Sequence, residues 1–100
     1  MTSIYRNKQE ALKGLESEMK ACRKYAKASE EKAKEGKIGA AINLLDIAQT
    51  AKTCAEQAHE SLWELSKGKL TEKEFEIFCD SETLRQDINK AYQAIKEARN

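Results

Sequence analysis

The sequence predicts an all-α fold: an up-down-up antiparallel bundle of three long helices, forming a single domain over residues 1–100. Three observations carry this. The chain contains no proline, the residue that most strongly breaks a helix. Apolar residues recur at alternating steps of three and four along three stretches, which is the spacing of a coiled-coil seam. Gly36, Gly39 and Gly68 punctuate those stretches, and Gly14 is the remaining glycine.

The first helix is expected from about Ser3 to Glu35. Ser3 offers a hydroxyl that accepts a free backbone N–H of the first turn. The inward seam reads Leu12, Leu15, Met19, Cys22, Ala26, Ser29 and Ala33. Gly14 lies within this helix and costs roughly 1 kcal/mol relative to alanine. Gly36 stops the helix in a left-handed conformation, with Lys34 and Lys37 suiting the negative end of the dipole.

The second helix is expected from about Ile38 to Lys67, with a seam of Leu44, Ala48, Ala51, Ala55, Ala58, Leu62 and Leu65. Its first half is apolar on several faces, through Ile38, Ala40, Ala41, Ile42, Leu44, Leu45 and Ile47. A helix apolar nearly all round is one touched from several sides, so this end is expected at the centre of the bundle. The seam alanines allow neighbouring backbones to approach closely.

The third helix opens on Thr71-Glu72-Lys73-Glu74. This is a capping box, in which threonine and glutamate each satisfy a free N–H of the first turn. The seam continues through Ile77, Ser81, Leu84, Ile88, Ala91, Ile95 and Ala98. The spacing stays in register past Asp80. Asp80 or Ser81 also suits the start of a new helix, so the third helix is either kinked near Asp80 or split there to give four helices. Each long helix measures about 45 Å at 1.5 Å per residue, and the short connections force antiparallel neighbours.

Composition narrows the function classes. Eighteen Lys/Arg stand against seventeen Asp/Glu, a balance that argues against a general polyanion binder. No apolar run reaches the roughly 20 residues needed to span a bilayer. The first residues lack the apolar segment of a secretory signal. The odd count of cysteines, Cys22, Cys54 and Cys79 with no C-x-x-C, suits free thiols in a reducing cytosol. A cytoplasmic protein without a membrane span is expected.

Few residues suggest chemistry. Cys22 and Cys54 fall within about one turn of the same height by the helical rise. They are either small buried apolar residues or a soft-metal or disulfide pair. His59, the single histidine, lies five residues after Cys54 and off its helix face. It reads as a partly exposed residue without a ligand role, since a zinc site needs about four ligands. No nucleophile–base pair, phosphate-cradling glycine loop or isolated carboxylate pair is visible, so neither an enzyme nor a cofactor is expected. Glu16–Lys20 and Glu30–Lys34 read as surface pairs one turn apart.

Charge is distributed unevenly. Lys13, Lys20, Lys27 and Lys34 recur every seven residues, and residues 1–37 carry ten Lys/Arg against six Asp/Glu. Residues 71–100 carry five against seven, with Glu72, Glu74, Glu76, Asp80 and Glu82 clustered. The two faces either attract each other across the bundle or present a basic strip to an acidic partner. No aromatic interleaves the strip, which argues against nucleic acid.

Three resemblances attach to particular residues. Glu18, Arg23-Lys24-Tyr25, Ala33-Lys34-Glu35-Gly36, Leu44, Ala48 and Ala55 resemble rubrerythrin-type ferritin-like bundles, where a ligand glutamate precedes the tyrosine by seven residues. The family's Glu-x-x-His pair falls on Ala51 and Cys54, so the resemblance implies a bundle whose di-iron site is lost. The stretch Cys54 to Gly68 resembles the cysteine-rich four-helix-bundle copper-binding family, with Ile47, Ala51 and Ala58 where further cysteines belong. The stretch Ala26 to Ala48 is similar to helix-hairpin modules of the microtubule-interacting-and-transport type.

The leading expectation is a non-enzymatic bundle acting through protein contacts, with a protein partner or as a homo-oligomer. The alternative is a metal-binding or redox bundle using Cys22 and Cys54. Trp63, Phe75 and Phe78 fall at similar height around the second turn. They form either a contact surface or a cap that folds over the turn and closes the core.

Overall fold

The computed structural model describes residues 5–99, so Ser3 lies outside the described residues. Helix α1 runs Lys8–Lys34, and its N-cap is Asn7, whose Oδ1 accepts the Glu10 N–H at 2.9 Å. The helix therefore opens later than the expected Ser3. At its other end Gly36 takes φ +81°, its N–H reaches Ala33 O, and the Lys37 N–H reaches Lys32 O at 2.9 Å. This pair of bonds is a Schellman closure, with glycine in the left-handed position where a Cβ is penalised.

Helix α2 runs Ile38–Ser66. It closes in the same way, except that Lys67 takes the left-handed position at φ 57° and Gly68 follows at φ +76°. The Gly68 N–H reaches Trp63 O at 3.3 Å. A Cβ at Gly68 would make only ordinary contact with the Trp63 indole, at 3.5 Å, so the left-handed backbone and not space favours glycine there.

The third stretch is broken. Helix α3 runs Glu72–Asp80, a 3-10 turn covers Ser81–Thr83, and helix α4 runs Leu84–Arg99. Thr71 and Glu74 form the expected capping box. At the break the backbone stays right-handed helical, at φ −64° for Asp80 and −61° for Ser81. Ser81 Oγ donates to Phe78 O at 2.7 Å and Thr83 Oγ1 to Asp80 O at 2.8 Å. These hydroxyls occupy carbonyls three residues back, where local side-chain bonds compete with the α-helical ladder. The result is a tightened turn that kinks the third stretch. No strand is present among the described residues.

The molecule measures 47 × 24 × 17 Å. Helices α1 and α2 form the principal pair, and α4 packs against both. The core is small-residue rich: Leu15, Met19, Cys22 and Ala26 from α1, Ala48, Ala51, Ala55 and Leu62 from α2, Leu84, Ile88 and Ile95 from α4. Ser29, fully buried, donates to Ala41 O at 2.6 Å and ties α1 to the start of α2.

Several expectations are corrected at the edges of the seam. Leu45, not Leu44, is buried, and Ala94 is buried where Ala98 is exposed. Helix α3 buries no residue completely; only Ile77 and Phe78 pack partly against the core. The first half of α2 is not enclosed, since Ile42 is 40% and Ile47 46% exposed. Two helices flank it where its apolar pattern suits more.

Candidate interaction surface

The expected meeting of Trp63, Phe75 and Phe78 is present. Phe78 is the centre. Its ring lies 5.5 Å from Trp63 and 6.2 Å from Phe75, centroid to centroid. Trp63 is 48% and Phe75 50% exposed, whereas Phe78 is half-buried against the core. The rings therefore do not close over the turn; two of the three remain half in solvent. Position along the chain explains this. Trp63 is one step off the Leu62–Leu65 seam, and Phe75 and Phe78 sit one turn apart on a helix held away from the core.

His59 completes the cluster, which the sequence reading missed. Its ring stacks on Phe78 with centroids 3.6 Å apart and planes 16° apart. His59 and Trp63 are four residues apart on α2, so they share a face; that spacing was the available signal. The His59 Nε2 is buried without a hydrogen-bond partner. Burial lowers the His59 pKa below the usual histidine value, while Glu82, the Phe78 backbone and Glu56 act in the opposite direction. His59 is therefore a neutral ring in an aromatic stack at neutral pH.

Two clefts border this histidine. One, of about 430 Å³, is lined by His59, Glu60, Trp63, Glu64 and Phe78. The other, of about 420 Å³, lies between α2 and the 3-10 turn and includes Lys52, Glu56, Ser81, Glu82 and Arg85. The surroundings are acidic: residues 56–82 hold eight Asp/Glu and three Lys. Glu60, Glu64, Glu72, Glu76 and Glu82 are all exposed and form no ion pair among the described residues.

Other acidic groups hold the fold. Lys8 bridges to Glu74 at 3.1 Å, joining the start of α1 to α3. The Glu74 pKa is lowered, first by the Thr71 backbone N–H and then by Lys8. Arg23 reaches the α3–α4 junction. Its Nη2 donates to Thr83 Oγ1 at 2.8 Å and to Asp80 Oδ2 at 3.1 Å, and its Nε lies 3.6 Å from Asp87 Oδ2. Attraction across the bundle thus runs through Lys8 and Arg23. Lys13, Lys20 and Lys27 are exposed and form no ion pair among the described residues. Glu30–Lys34 forms at 3.0 Å, whereas Glu16–Lys20 does not.

The cysteines are free thiols: Cys22 buried, Cys54 half-buried and Cys79 exposed. Burial raises the Cys22 pKa, with Asp87 adding to it and Lys52 and Arg23 opposing it. A thiol so placed stays protonated, the weaker form for ligation. Among the described residues no three His, Cys, Asp or Glu side chains converge in a way that could hold a metal ion. No described helix is long and apolar enough to cross a membrane. No family model, curated protein or solved structure matches the chain.

Proposed function

We propose that this chain works by protein contact rather than catalysis, and that the contact is made at the aromatic end of the bundle. One observation carries the reading: Trp63 and Phe75 remain half-exposed on either side of a half-buried Phe78. Large rings partly out of water beside a cleft are the usual anchors of protein recognition. The occupant that fits is a partner segment bringing an apolar anchor and basic side chains. The anchor enters the cleft between Trp63 and Phe78, and the cations meet Glu60, Glu64 and Glu76, which have no partner of their own among the described residues. Such charge complementarity speeds encounter and selects partners more than it adds affinity. Three free thiols fit a reducing, cytoplasmic setting.

The test compares capture by three forms of the protein from cells that produce it. The wild type and Lys27→Ala, altered at an exposed position of α1 outside the aromatic end, are expected to retain the same partner. Phe75→Asp is expected to lose it, and raised salt to weaken it. A partner held equally by Phe75→Asp would remove the aromatic end from function.

A further inference from the structure

A second surface lies about 30 Å from Trp63 along α2, by the helical rise from position 63 to position 42. It is a groove of about 590 Å³ between α2 and α4. Ile42 and Tyr92 stand at its lips, 40% and 62% exposed, and Leu45 and Ile95 form its floor. This is the part of α2 whose apolar residues encircle the helix. The single chain covers only two of its sides.

The walls carry opposite charge. Asp46 lies on the α2 wall, and Lys96 and Arg99 on the α4 wall. All three are exposed and none forms an ion pair among the described residues. A surface with an apolar centre, one acidic wall and one basic wall is complementary to itself under a twofold rotation. The direction of the axis is fixed by the charges. An axis across the helices sets α2 against α2 and brings Asp46 to Asp46. An axis parallel to the helices sets α2 of each copy against α4 of the other, at the same height, and brings Asp46 to Lys96 and Arg99.

We infer that this groove docks a second copy of the chain in the latter arrangement. Each copy supplies the missing third side of the other's α2, and Ile42 and Tyr92 become buried between them. Both aromatic ends stay uncovered at one end of the dimer. The inference does not depend on what those ends bind.

Sedimentation equilibrium on four samples tests it: wild type, Asp46→Arg, the double variant Lys96→Glu/Arg99→Glu, and an equimolar mixture of the two variants. Wild type is expected to dimerise. Each variant alone places like charges across the interface and is expected to weaken association by about tenfold or more. The mixture is expected to recover dimers, because the two variants complement each other at both contacts. Circular dichroism equal to wild type in both variants shows that the exposed substitutions leave the fold intact. A wild type that stays monomeric at its highest soluble concentration overturns the inference. So does a dimer that both variants keep, or a mixture that fails to recover it.

Discussion

The phenol of Tyr5 lies where a side chain at position 14 would begin: a Cβ built on Gly14 meets the Tyr5 hydroxyl oxygen at 2.5 Å. The glycine in the second turn of α1 therefore has a packing role that offsets its poor helix propensity. Gly14→Ala alone is expected to give little or no stabilisation, because the ring must move. In a Tyr5→Ala background the same substitution is expected to stabilise by roughly 0.5–1 kcal/mol, the ordinary advantage of alanine in a helix. Urea denaturation of the four proteins checks this, and equal effects in both backgrounds would contradict it. His59 makes a second case. Its folded pKa lies below its unfolded value, so the unfolded chain binds the proton more readily. Stability from the neutral ring is present above the ordinary histidine pKa and declines as pH falls toward the lowered folded value. Wild type is expected to lose more stability than His59→Gln between about pH 7 and pH 5, the range in which an ordinary histidine titrates. Parallel pH profiles would show that His59 titrates as it does in the unfolded chain.

Helix α3 differs in kind from its neighbours. It has a complete capping box, yet no fully buried residue, so packing contributes little to hold it. Arg23 and Lys8 fasten its two ends instead. Segments with few buried contacts open at low free energy, so amide exchange is expected to be fastest over residues 72–83 among the helical segments. Arg23→Met is expected to accelerate exchange there several-fold while leaving the α1–α2 pair unchanged. Arg23→Lys is expected to rescue only in part, since an ammonium lacks the guanidinium fork. Uniform exchange along the chain would contradict both. The elements themselves were legible: Gly36, Gly68 and the Thr71–Glu74 box mark real ends, and the three-four spacing marks the buried face of α1, α2 and α4. Spacing reports period, not distance, so Ile77 and Ser81 fitted the seam although α3 stands off the core. Alternating steps of four and three start the α2 seam at Leu44, yet the neighbouring Leu45 is the buried leucine. Trp63, Phe75 and Phe78 were placed together by helical rise. His59 is hard to place from sequence because a lone histidine reads first as a metal ligand and not as a ring one turn from a tryptophan.

The whole molecule is a tightly seamed α1–α2–α4 core with α3 carried at one end as a bearer of exposed aromatic and acidic side chains. Its stability should therefore reside in the core. Leu62→Ala, at a position with no solvent exposure, is expected to cost roughly 2–5 kcal/mol, as buried leucine truncations do. Phe75→Ala, at a half-exposed position, is expected to stay within about 0.5 kcal/mol of wild type, as surface substitutions usually do. Chemical denaturation of both variants separates the structural core from the proposed contact surface. Contact at the aromatic end is examined most directly by placing a photo-crosslinking side chain at position 75 and, as a control, at exposed Lys13 in cells that produce the protein. A discrete crosslinked protein is expected from position 75 and none from position 13. No adduct at position 75, or the same adducts from both positions, would contradict recognition through this surface.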